Sequence, residues 1–365
     1  MEEVDQRGDI MKFIHIADVH LGAVPDSNKP WGEKREKEIW ESFDNIITIC
    51  NLEKVDLLLI AGDLFHKQPL VRELKELNYY LSKLKATQVV IMAGNHDCIT
   101  ARSNYPSFQW EENVHMFLDN SINTIVLPEI NTEVYGLSYH TREVNEALYD
   151  KIKPIDKQRI NILLAHGGEN KYIPMDKKKL QQAGFDYVAL GHIHKPEIIS
   201  DRMAYAGSLE PLDRNEIGDR GYIIGEINKN NDVSITHIRF VSNSIRQYKR
   251  VNLMVDQDTT NGQLQDQALR IINDEGSQHI YTFFIQGMRD VAMVYDKEAI
   301  MSLGNVLDVI DQSVPDYDFD QLYIENSDNI IGLFIKKIRE TENHDIVTRK
   351  ALYYGIEALL GSKGN

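Results

Sequence analysis

The chain contains 365 residues, 42% of them hydrophobic, and carries a formal net charge of −16. This length predicts one large domain with its own core and a smaller appendage. The negative charge repels phosphate polymers, so a function on nucleic acid would need locally gathered cations, bound metal or a basic partner.

The two cysteines, Cys50 and Cys98, are too few for a disulfide framework, and neither belongs to a Cys-x-x-Cys pair. Iron–sulfur clusters and structural zinc sites are therefore not expected, and a reducing, cytoplasmic location is favoured. No apolar run approaches the roughly 20 residues that span a bilayer, so we expect no membrane association.

The first ten residues, MEEVDQRGDI, lack the basic and apolar blocks of a signal peptide. Met11 directly precedes the first apolar run. We therefore predict that residues 1–10 form a disordered extension and that the first domain covers residues 11–242.

Apolar runs alternate with amphipathic stretches through the first domain, which is typical of an α/β fold. The uninterrupted apolar run at 55–61 indicates a strand that is buried on both faces. The predicted strands cover residues 12–17, 55–61, 89–93, 124–127, 133–139, 160–165, 187–190, 203–206, 221–227 and 233–240. The predicted helices cover residues 31–51, 69–86 and 143–151, with one more helix before residue 187.

Five of these strands end in metal-binding or acid–base side chains. The clusters are Asp18-Val-His20, Gly62-Asp63-Leu-Phe-His66, Gly94-Asn95-His96-Asp97, Ala165-His166-Gly167 and Gly191-His192-Ile-His194. If the strand pleat persists, His192 and His194 leave on one face and can reach two neighbouring ions. A single histidine at a strand end is commonly an ordinary polar residue, but five such clusters together predict a two-metal hydrolytic centre.

Asp63 is the expected bridging ligand, because a carboxylate has two oxygens that can hold ions about 3.5–4 Å apart. Imidazole, carboxylate and amide ligands without thiolate suit manganese, iron or zinc, whereas so many histidines make magnesium and calcium less suitable. Two such ions would activate water near neutral pH and bind phosphate oxygens.

The order of the motifs Asp-x-His, Gly-Asp-x-x-His, Gly-Asn-His-Asp, Ala-His-Gly and Gly-His-x-His resembles that of the calcineurin-like metallophosphoesterases. Within this superfamily, His66 and the Gly-Asn-His-Asp motif are similar to the SbcD-type nuclease subunits of DNA repair, and residues 351–360 are similar to the YhaO-like branch. Protein serine/threonine phosphatases of the superfamily end the third motif in Asn-His-Glu instead. The resemblance covers residues 11–240 and implies a four-layer α/β/β/α sandwich.

The resemblance also implies a role for each site residue. One metal would be held by Asp18, His20, Asp63 and His194, and the other by Asp63, Asn95, His166 and His192. His96 would stay outside the metal shell and protonate the leaving oxygen, a role that imidazole fills well near neutral pH. His66 would contact the substrate phosphate or assist catalysis.

Residues 245–327 are predicted to form a small α+β domain, which the resemblance identifies as a capping and DNA-binding domain. Its predicted elements are strands at 249–255, 280–286 and 318–324 and helices at 262–273 and 297–310. Residues 329–365 are predicted to form a tail of two amphipathic helices, the first with Ile330, Leu333, Ile335 and Ile338 on one stripe. The resemblance implies that this tail docks onto an SbcC-like coiled-coil ATPase and that the helix at 69–86 forms a homodimer.

The function implied is a manganese-dependent DNA exonuclease with single-strand endonuclease activity, acting in double-strand-break repair and recombination. The alternative is a metallophosphatase or phosphodiesterase of a small phosphoester or nucleotide, which would use the same chemistry with a different cap and groove. A scaffold with a vestigial metal site is a third alternative, which the complete ligand set argues against. Candidate DNA-contacting cations are Lys177, Lys178, Lys179, Arg246, Lys249 and Arg250.

Overall fold

The structure is a computed structural model that describes residues 10–341 and 345–362. The predicted extension at residues 1–10 lies outside these ranges, except for Ile10, which begins the first strand. The chain divides into two compact units with the boundary between Tyr248 and Lys249. The predicted domain limits, 11–242, 245–327 and 329–365, remain a proposal.

The first unit alternates strands and helices along the chain. Its elements are β1 (Ile10–Ile16), α1 (Gly32–Glu53), β2 (Leu57–Ala61), α2 (Val71–Leu81), β3 (Gln88–Met92), β4 (Val114–Met116), β5 (Asn123–Leu127), β6 (Thr132–Gly136), β7 (Ile160–His166), α3 (Lys177–Gln182), β8 (Tyr187–Gly191), β9 (Glu197–Ser200), β10 (Met203–Tyr205), β11 (Gly221–Asn230) and β12 (Val233–Ser242). Short 3₁₀ turns occur at Tyr105–Ser107 and Pro128–Ile130.

These strands form two sheets. One has the order β12-β11-β1-β2-β3-β4 and the other the order β5-β6-β7-β8-β10-β9. Strands β1 to β4 are parallel neighbours, as are β6, β7 and β8, so the carboxyl ends of the motif-bearing strands lie at one edge of each sheet. Strands β11 and β12 form an antiparallel hairpin, and β11 pairs antiparallel with β1.

The side chains of β2 show why two sheets and two helical layers form. Because successive residues of a strand point to opposite faces, Leu57 and Leu59 enter the core between the sheets, whereas Leu58 and Ile60 pack beneath α1 and α2. Strand β7 alternates in the same way between the inter-sheet core and the outer core beneath α3. The predicted four-layer α/β/β/α sandwich is therefore confirmed.

The predicted helix at 143–151 is wrong. Val144 instead accepts a backbone hydrogen bond from the N–H of Ile173 (2.8 Å) and donates one to the carbonyl of Lys171 (2.9 Å). This pairing uses the backbone groups that a helix would need, and the remaining residues form bends and turns. Helix α2 is also shorter than the predicted 69–86.

The second unit contains a small sheet and a group of helices. Its elements are β13 (Tyr248–Val255), α4 (Asn261–Glu275), β14 (Ile280–Arg289), α5 (Lys297–Met301), β15 (Val306–Asp311), β16 (Val314–Pro315), α6 (Phe319–Glu325), α7 (Ile330–Arg339) and α8 (Ile346–Ser362). The sheet has the order β13-β14-β15, and β16 also pairs with β14. The expected α+β composition is present.

Two predicted elements of this unit have the wrong type. The helix at 297–310 ends at Met301, and the chain continues as β15, whose Val306 and Val309 are buried beside β14. The strand at 318–324 is helix α6, because the Asp318 side chain accepts hydrogen bonds from the backbone N–H groups of Asp320 and Gln321. Within 10–341 and 345–362, no helix combines the length and apolar composition needed to cross a membrane.

The two sheets of the first unit come into close backbone contact at Gly191. A Cβ atom at this position would lie 1.9 Å from the carbonyl oxygen of Ala61 and 2.9 Å from Nδ1 of His166. We expect Gly191→Ala to destabilise the fold by about 1–3 kcal/mol or more, because backbone must move to admit the methyl group. The urea midpoint should fall accordingly, whereas Gly262→Ala on α4, where a Cβ contacts nothing within 4 Å, should leave it unchanged or slightly higher.

Candidate metal centre

The loops that follow five strands bring the seven predicted metal ligands together at the carboxyl edges of the two sheets. These residues are Asp18 and His20 after β1, Asp63 after β2, Asn95 after β3, His166 at the end of β7, and His192 and His194 after β8. Asp18, His20, Asp63 and His192 have positive φ angles. Non-glycine residues rarely adopt this conformation, and such strain is concentrated at functional sites.

Asp63 lies between two groups of ligand atoms. Its Oδ2 is 3.7 Å from Nε2 of His20 and 3.6 Å from Nε2 of His166. Its other oxygen, Oδ1, accepts a hydrogen bond of 2.8 Å from the backbone N–H of His96. One carboxylate oxygen therefore faces both groups, which is the geometry expected of a bridging ligand.

Asp18, His20 and His194 form the first cluster, together with Asp63. The Nε2 atoms of His20 and His194 are 3.2 Å apart. Two adjacent nitrogen ligands at about 2.0–2.1 Å from one ion are separated by about 2.8–3.4 Å in octahedral or tetrahedral geometry. The spacing of this pair therefore fits a shared divalent cation.

Asn95, His166 and His192 form the second cluster, also with Asp63. Oδ1 of Asn95 lies 2.9 Å from Nε2 of His166 and 3.1 Å from Nδ1 of His192. Burial lowers the pKa of His166, so its ring is neutral and carries one proton. Nδ1 donates that proton to the carbonyl of Ala61 (2.9 Å), which leaves a lone pair on Nε2 beside the amide oxygen. These converging lone pairs fit a second cation.

Glu216, in the loop between β10 and β11, accepts a hydrogen bond of 2.6 Å from Nδ1 of His194. Burial lowers the pKa of His194, but the hydrogen bond to Glu216 and the charge of Asp18 outweigh this effect and raise it to about 9. Sequence reasoning missed Glu216, because it follows His194 by 22 residues in a loop without strand or helix periodicity.

The two predicted catalytic histidines lie beside the first cluster. The His96 ring stands edge-on to His20 with centroids 4.8 Å apart, and its Nδ1 donates to the carbonyl of His66 (3.2 Å). Nδ1 of His66 is 3.4 Å from Nδ1 of His20. Burial and the nearby His96 lower the pKa of His66. Both side chains are exposed, so substrate can reach them.

Asp97 connects the loop that follows β2 with the loop that follows β3. Its carboxylate accepts hydrogen bonds from the backbone N–H groups of Gly94 (2.8 Å) and Phe65 (3.2 Å) and from the hydroxyl of Tyr105 (2.7 Å). Burial and the charge of Asp63 raise the pKa of Asp97 to about 7. The sequence motif includes this residue, but its spacing does not indicate this structural role.

Most of the predicted DNA-contacting cations have acidic partners. Lys177 pairs with Glu197 (3.2 Å), and Lys179 pairs with Asp150 (3.1 Å). Similarly, the buried Arg246 pairs with Glu38, and Lys249 pairs with Glu275 (2.7 Å). These four side chains are therefore poor candidates for phosphate contacts.

Two lysines adjacent to the metal centre present a different surface. Lys67 follows His66 directly, and Lys195 follows His194 directly. Both are exposed, and neither has an acidic partner within 4 Å in the part of the chain that the structure describes. Sequence reasoning did not single out either residue.

Comparison with known proteins identifies the family. Residues 11–196 match the family described as calcineurin-like phosphoesterase. The chain is 32% identical over 266 residues to the DNA double-strand break repair protein Mre11 of Methanocaldococcus jannaschii, covering 67% of this chain and 69% of that protein.

Two further relatives are more distant. The uncharacterized metallophosphoesterase YhaO of Bacillus subtilis is 28% identical over 251 residues, covering 61% of this chain and 59% of that protein. Mre11 of Methanopyrus kandleri is 27% identical over 250 residues, covering 60% of this chain and 54% of that protein. The match therefore spans little more than half the length of these two relatives. The resemblance inferred from the motifs is confirmed: the chain belongs to the calcineurin-like phosphoesterase family, with Mre11 proteins and YhaO among its relatives.

Proposed function

We propose that the protein is a two-metal phosphodiesterase that cuts DNA, as an exonuclease with single-strand endonuclease activity in double-strand-break repair and recombination. The observation that carries the proposal is the position of Asp63 Oδ2 between His20 and His166, which makes one carboxylate common to two ligand clusters. The names of the Mre11 relatives support DNA as the substrate class.

Two bound divalent cations would supply Lewis acidity toward the phosphate and a water that loses its proton near neutral pH. The first cluster and Asp63 would hold one cation, and the second cluster and Asp63 the other. Their imidazole, carboxylate and amide donors suit manganese, iron or zinc, and we propose manganese as the first choice.

His96 is suited to protonate the leaving oxygen. Its Nδ1 donates to the His66 carbonyl, which fixes the orientation of the ring, and its backbone N–H bonds to Asp63 and ties it to the centre. Nε2 has no hydrogen-bond partner among residues 10–341 and 345–362, so it is available to exchange a proton with substrate. His66 would contact the phosphate on the side of His20.

A DNA substrate requires positive charge near the centre of a chain with net charge −16. Lys67 and Lys195 supply two exposed cations directly beside proposed site residues. They are the expected phosphate contacts, in place of Lys177, Lys179 and Arg246, whose charges are already paired.

The proposal is tested by digestion of labelled substrates with and without Mn²⁺. We expect nucleotide release from the ends of linear duplex DNA and cutting of circular single-stranded DNA, both only with the cation. Hydrolysis of small phosphomonoesters or nucleotides without any cutting of DNA would instead establish the small-substrate phosphatase. A Lys67→Ala, Lys195→Ala double variant should weaken DNA binding and its salt dependence, while hydrolysis of a small phosphodiester stays normal.

We also propose that the C-terminal helices dock onto an SbcC-like coiled-coil ATPase. Ile331, Ile335 and Ile356 are buried together between α6, α7 and α8, so one face of the tail is already covered within its own unit. Ile330 and Leu333, by contrast, are 61% and 59% exposed. The predicted stripe of Ile330, Leu333, Ile335 and Ile338 is thus divided. Ile335 is buried and Ile338 partly buried, whereas Ile330 and Leu333 form an outward face available to a partner helix pair.

This division decides the choice of variant for the docking test. Removing residues 329–365 would strip α6 of its packing partners, whereas Ile330→Asp with Leu333→Asp changes only the outward face. We expect the double variant to unfold at the wild-type temperature and cut short oligonucleotides with Mn²⁺, but to lose co-purification with the ATPase. Retained co-purification would rule out this face.

We propose that the expected homodimer forms through α2. Val71 and Tyr79 on this helix and Leu70 before it are 46%, 61% and 50% exposed. Such a group of outward apolar side chains suits an isologous contact between two copies. Light scattering should show a dimer that Tyr79→Glu converts to a monomer. A monomeric wild type would exclude the dimer.

A further inference from the structure

Glu216 has both carboxylate oxygens engaged next to the proposed metal centre. Oε1 accepts from Nδ1 of His194 at 2.6 Å, and Oε2 accepts from the backbone N–H of Leu212 at 3.0 Å. Arg220 Nε lies 3.8 Å from Oε2. The Glu216 side chain is only 16% exposed. The carboxylate is therefore held in one orientation by partners on two sides.

Backbone hydrogen bonds on both sides of the loop at 212–220 fix this arrangement. Before the loop, the N–H of Ser208 donates to the carbonyl of His194 (3.0 Å). After it, the carbonyl of Arg220 accepts from the N–H of Asn243 (2.9 Å). Glu216 is thus carried by a segment that is attached to the His194 backbone and to the end of β12. These hydrogen bonds restrain both ends of the loop that carries Glu216.

The contact with Glu216 determines which ring nitrogen of His194 can bind a metal. A carboxylate oxygen at 2.6 Å requires the proton of a neutral imidazole to be on Nδ1. Nε2 then keeps its lone pair and points to the first cluster, 3.2 Å from Nε2 of His20. We propose that Glu216 is a positioning residue that selects this tautomer of His194 and thereby sets the affinity of the first cluster for its cation. This inference rests on the proposed metal centre.

The second cluster is oriented differently. His166 donates Nδ1–H to the backbone carbonyl of Ala61, a neutral acceptor. His192 has Nε2 at 3.4 Å from Glu169, whose side chain is 59% exposed. Of the two clusters, the first therefore has a mostly buried carboxylate that accepts a hydrogen bond from a ligand imidazole, and the second does not. A carboxylate in this position raises the basicity of the ligand, so the two cations should depend unequally on the surrounding side chains.

Glu216→Gln tests the inference because glutamine has one acceptor and one donor where glutamate has two acceptors. If the glutamine oxygen accepts the hydrogen bond from the Leu212 N–H, the glutamine NH₂ group faces Nδ1 of His194. The proton of the neutral His194 ring must then be on Nε2. That tautomer cannot bind the cation. We expect the affinity for one Mn²⁺ to fall about 10–100-fold, the usual effect of losing such a partner, while the other ion binds as in the wild type.

Three measurements report this change without using activity. Calorimetric titration with Mn²⁺ should show one tight and one weakened site, and electron paramagnetic resonance at one equivalent of Mn²⁺ should show an isolated ion. Excess Mn²⁺ should restore the spectrum of the coupled pair. In the metal-free protein, at a pH above the His194 pKa of about 9 where the ring is neutral, long-range ¹H–¹⁵N correlations should show the His194 proton on Nδ1 in the wild type and on Nε2 in Glu216→Gln.

Asp219→Asn is the matched control. The Asp219 carboxylate belongs to the same loop, but it accepts a hydrogen bond from Gln247 and not from a histidine. It should bind both ions as the wild type does. Unchanged affinity in Glu216→Gln, or equal weakening of both ions, would overturn the positioning role. Failure of the proposed centre is distinguishable, because the wild type itself would then bind fewer than two ions. Failure of the nuclease assignment would appear as two bound ions without cutting of DNA.

Discussion

Replacing Asp63 with alanine is expected to remove both metal ions and all measurable phosphodiesterase activity. The reason is that Oδ2 of Asp63 lies within 3.7 Å of Nε2 of His20 and within 3.6 Å of Nε2 of His166, one from each cluster. Losing this oxygen withdraws a negative ligand from both cations at once. Elemental analysis of the purified variant should find neither ion at the stoichiometry of the wild type.

Asp63→Asn separates loss of charge from loss of structure. The amide can still accept the hydrogen bond from the His96 N–H, so the loop should keep its conformation. Asp44→Ala removes an exposed carboxylate from α1 and should change neither metal content nor activity. Unchanged metal content in Asp63→Ala would eliminate the bridging assignment.

His96→Ala is expected to keep near-normal metal content while DNA hydrolysis falls by about 10²–10⁴-fold, the usual contribution of a positioned acid. The ring lies next to His20 but donates its Nδ1 proton to the His66 carbonyl, so the proposed metal ligands do not depend on it. A nitrophenyl phosphodiester should lose less rate, because nitrophenolate leaves without a proton.

The comparison of the two substrates is the decisive part of this second experiment. Equal losses with DNA and with the nitrophenyl ester would show that His96 does not act as the acid. His237→Ala, on the exposed side of β12, provides the matched histidine deletion and should affect neither reaction.

The core of the candidate site could be predicted because its residues follow strands that the sequence identifies clearly. Runs such as 55–61 are apolar throughout, and parallel strands bring their carboxyl ends to one edge. The ligand Asp63 follows from this rule alone. Gly94 belongs to one of the predicted motifs, and the structure gives a reason for a glycine there, since a Cβ would lie 2.2 Å from Oδ1 of Asp63.

Other features depend on contacts between distant segments, which no local pattern reveals. Residues 143–151 have helical spacing, yet Val144 pairs with the backbone of Lys171 and Ile173. Glu216 reaches His194 only because β11 returns beside β1. Asp318 is different, because a local signal indicates its capping role. Asp318 and Gln321 have the spacing of a helix start. The apolar pattern of 318–324 instead favours a strand, and the strand prediction is wrong.

The most direct test of the central claim is an anomalous-difference map from crystals of the Mn²⁺-loaded protein, collected at the manganese absorption edge. Two peaks about 3.5–4 Å apart are expected, with Asp63 between them, His20 and His194 on one side and His166 on the other. A single peak, or two peaks that do not share Asp63, would contradict the two-metal centre.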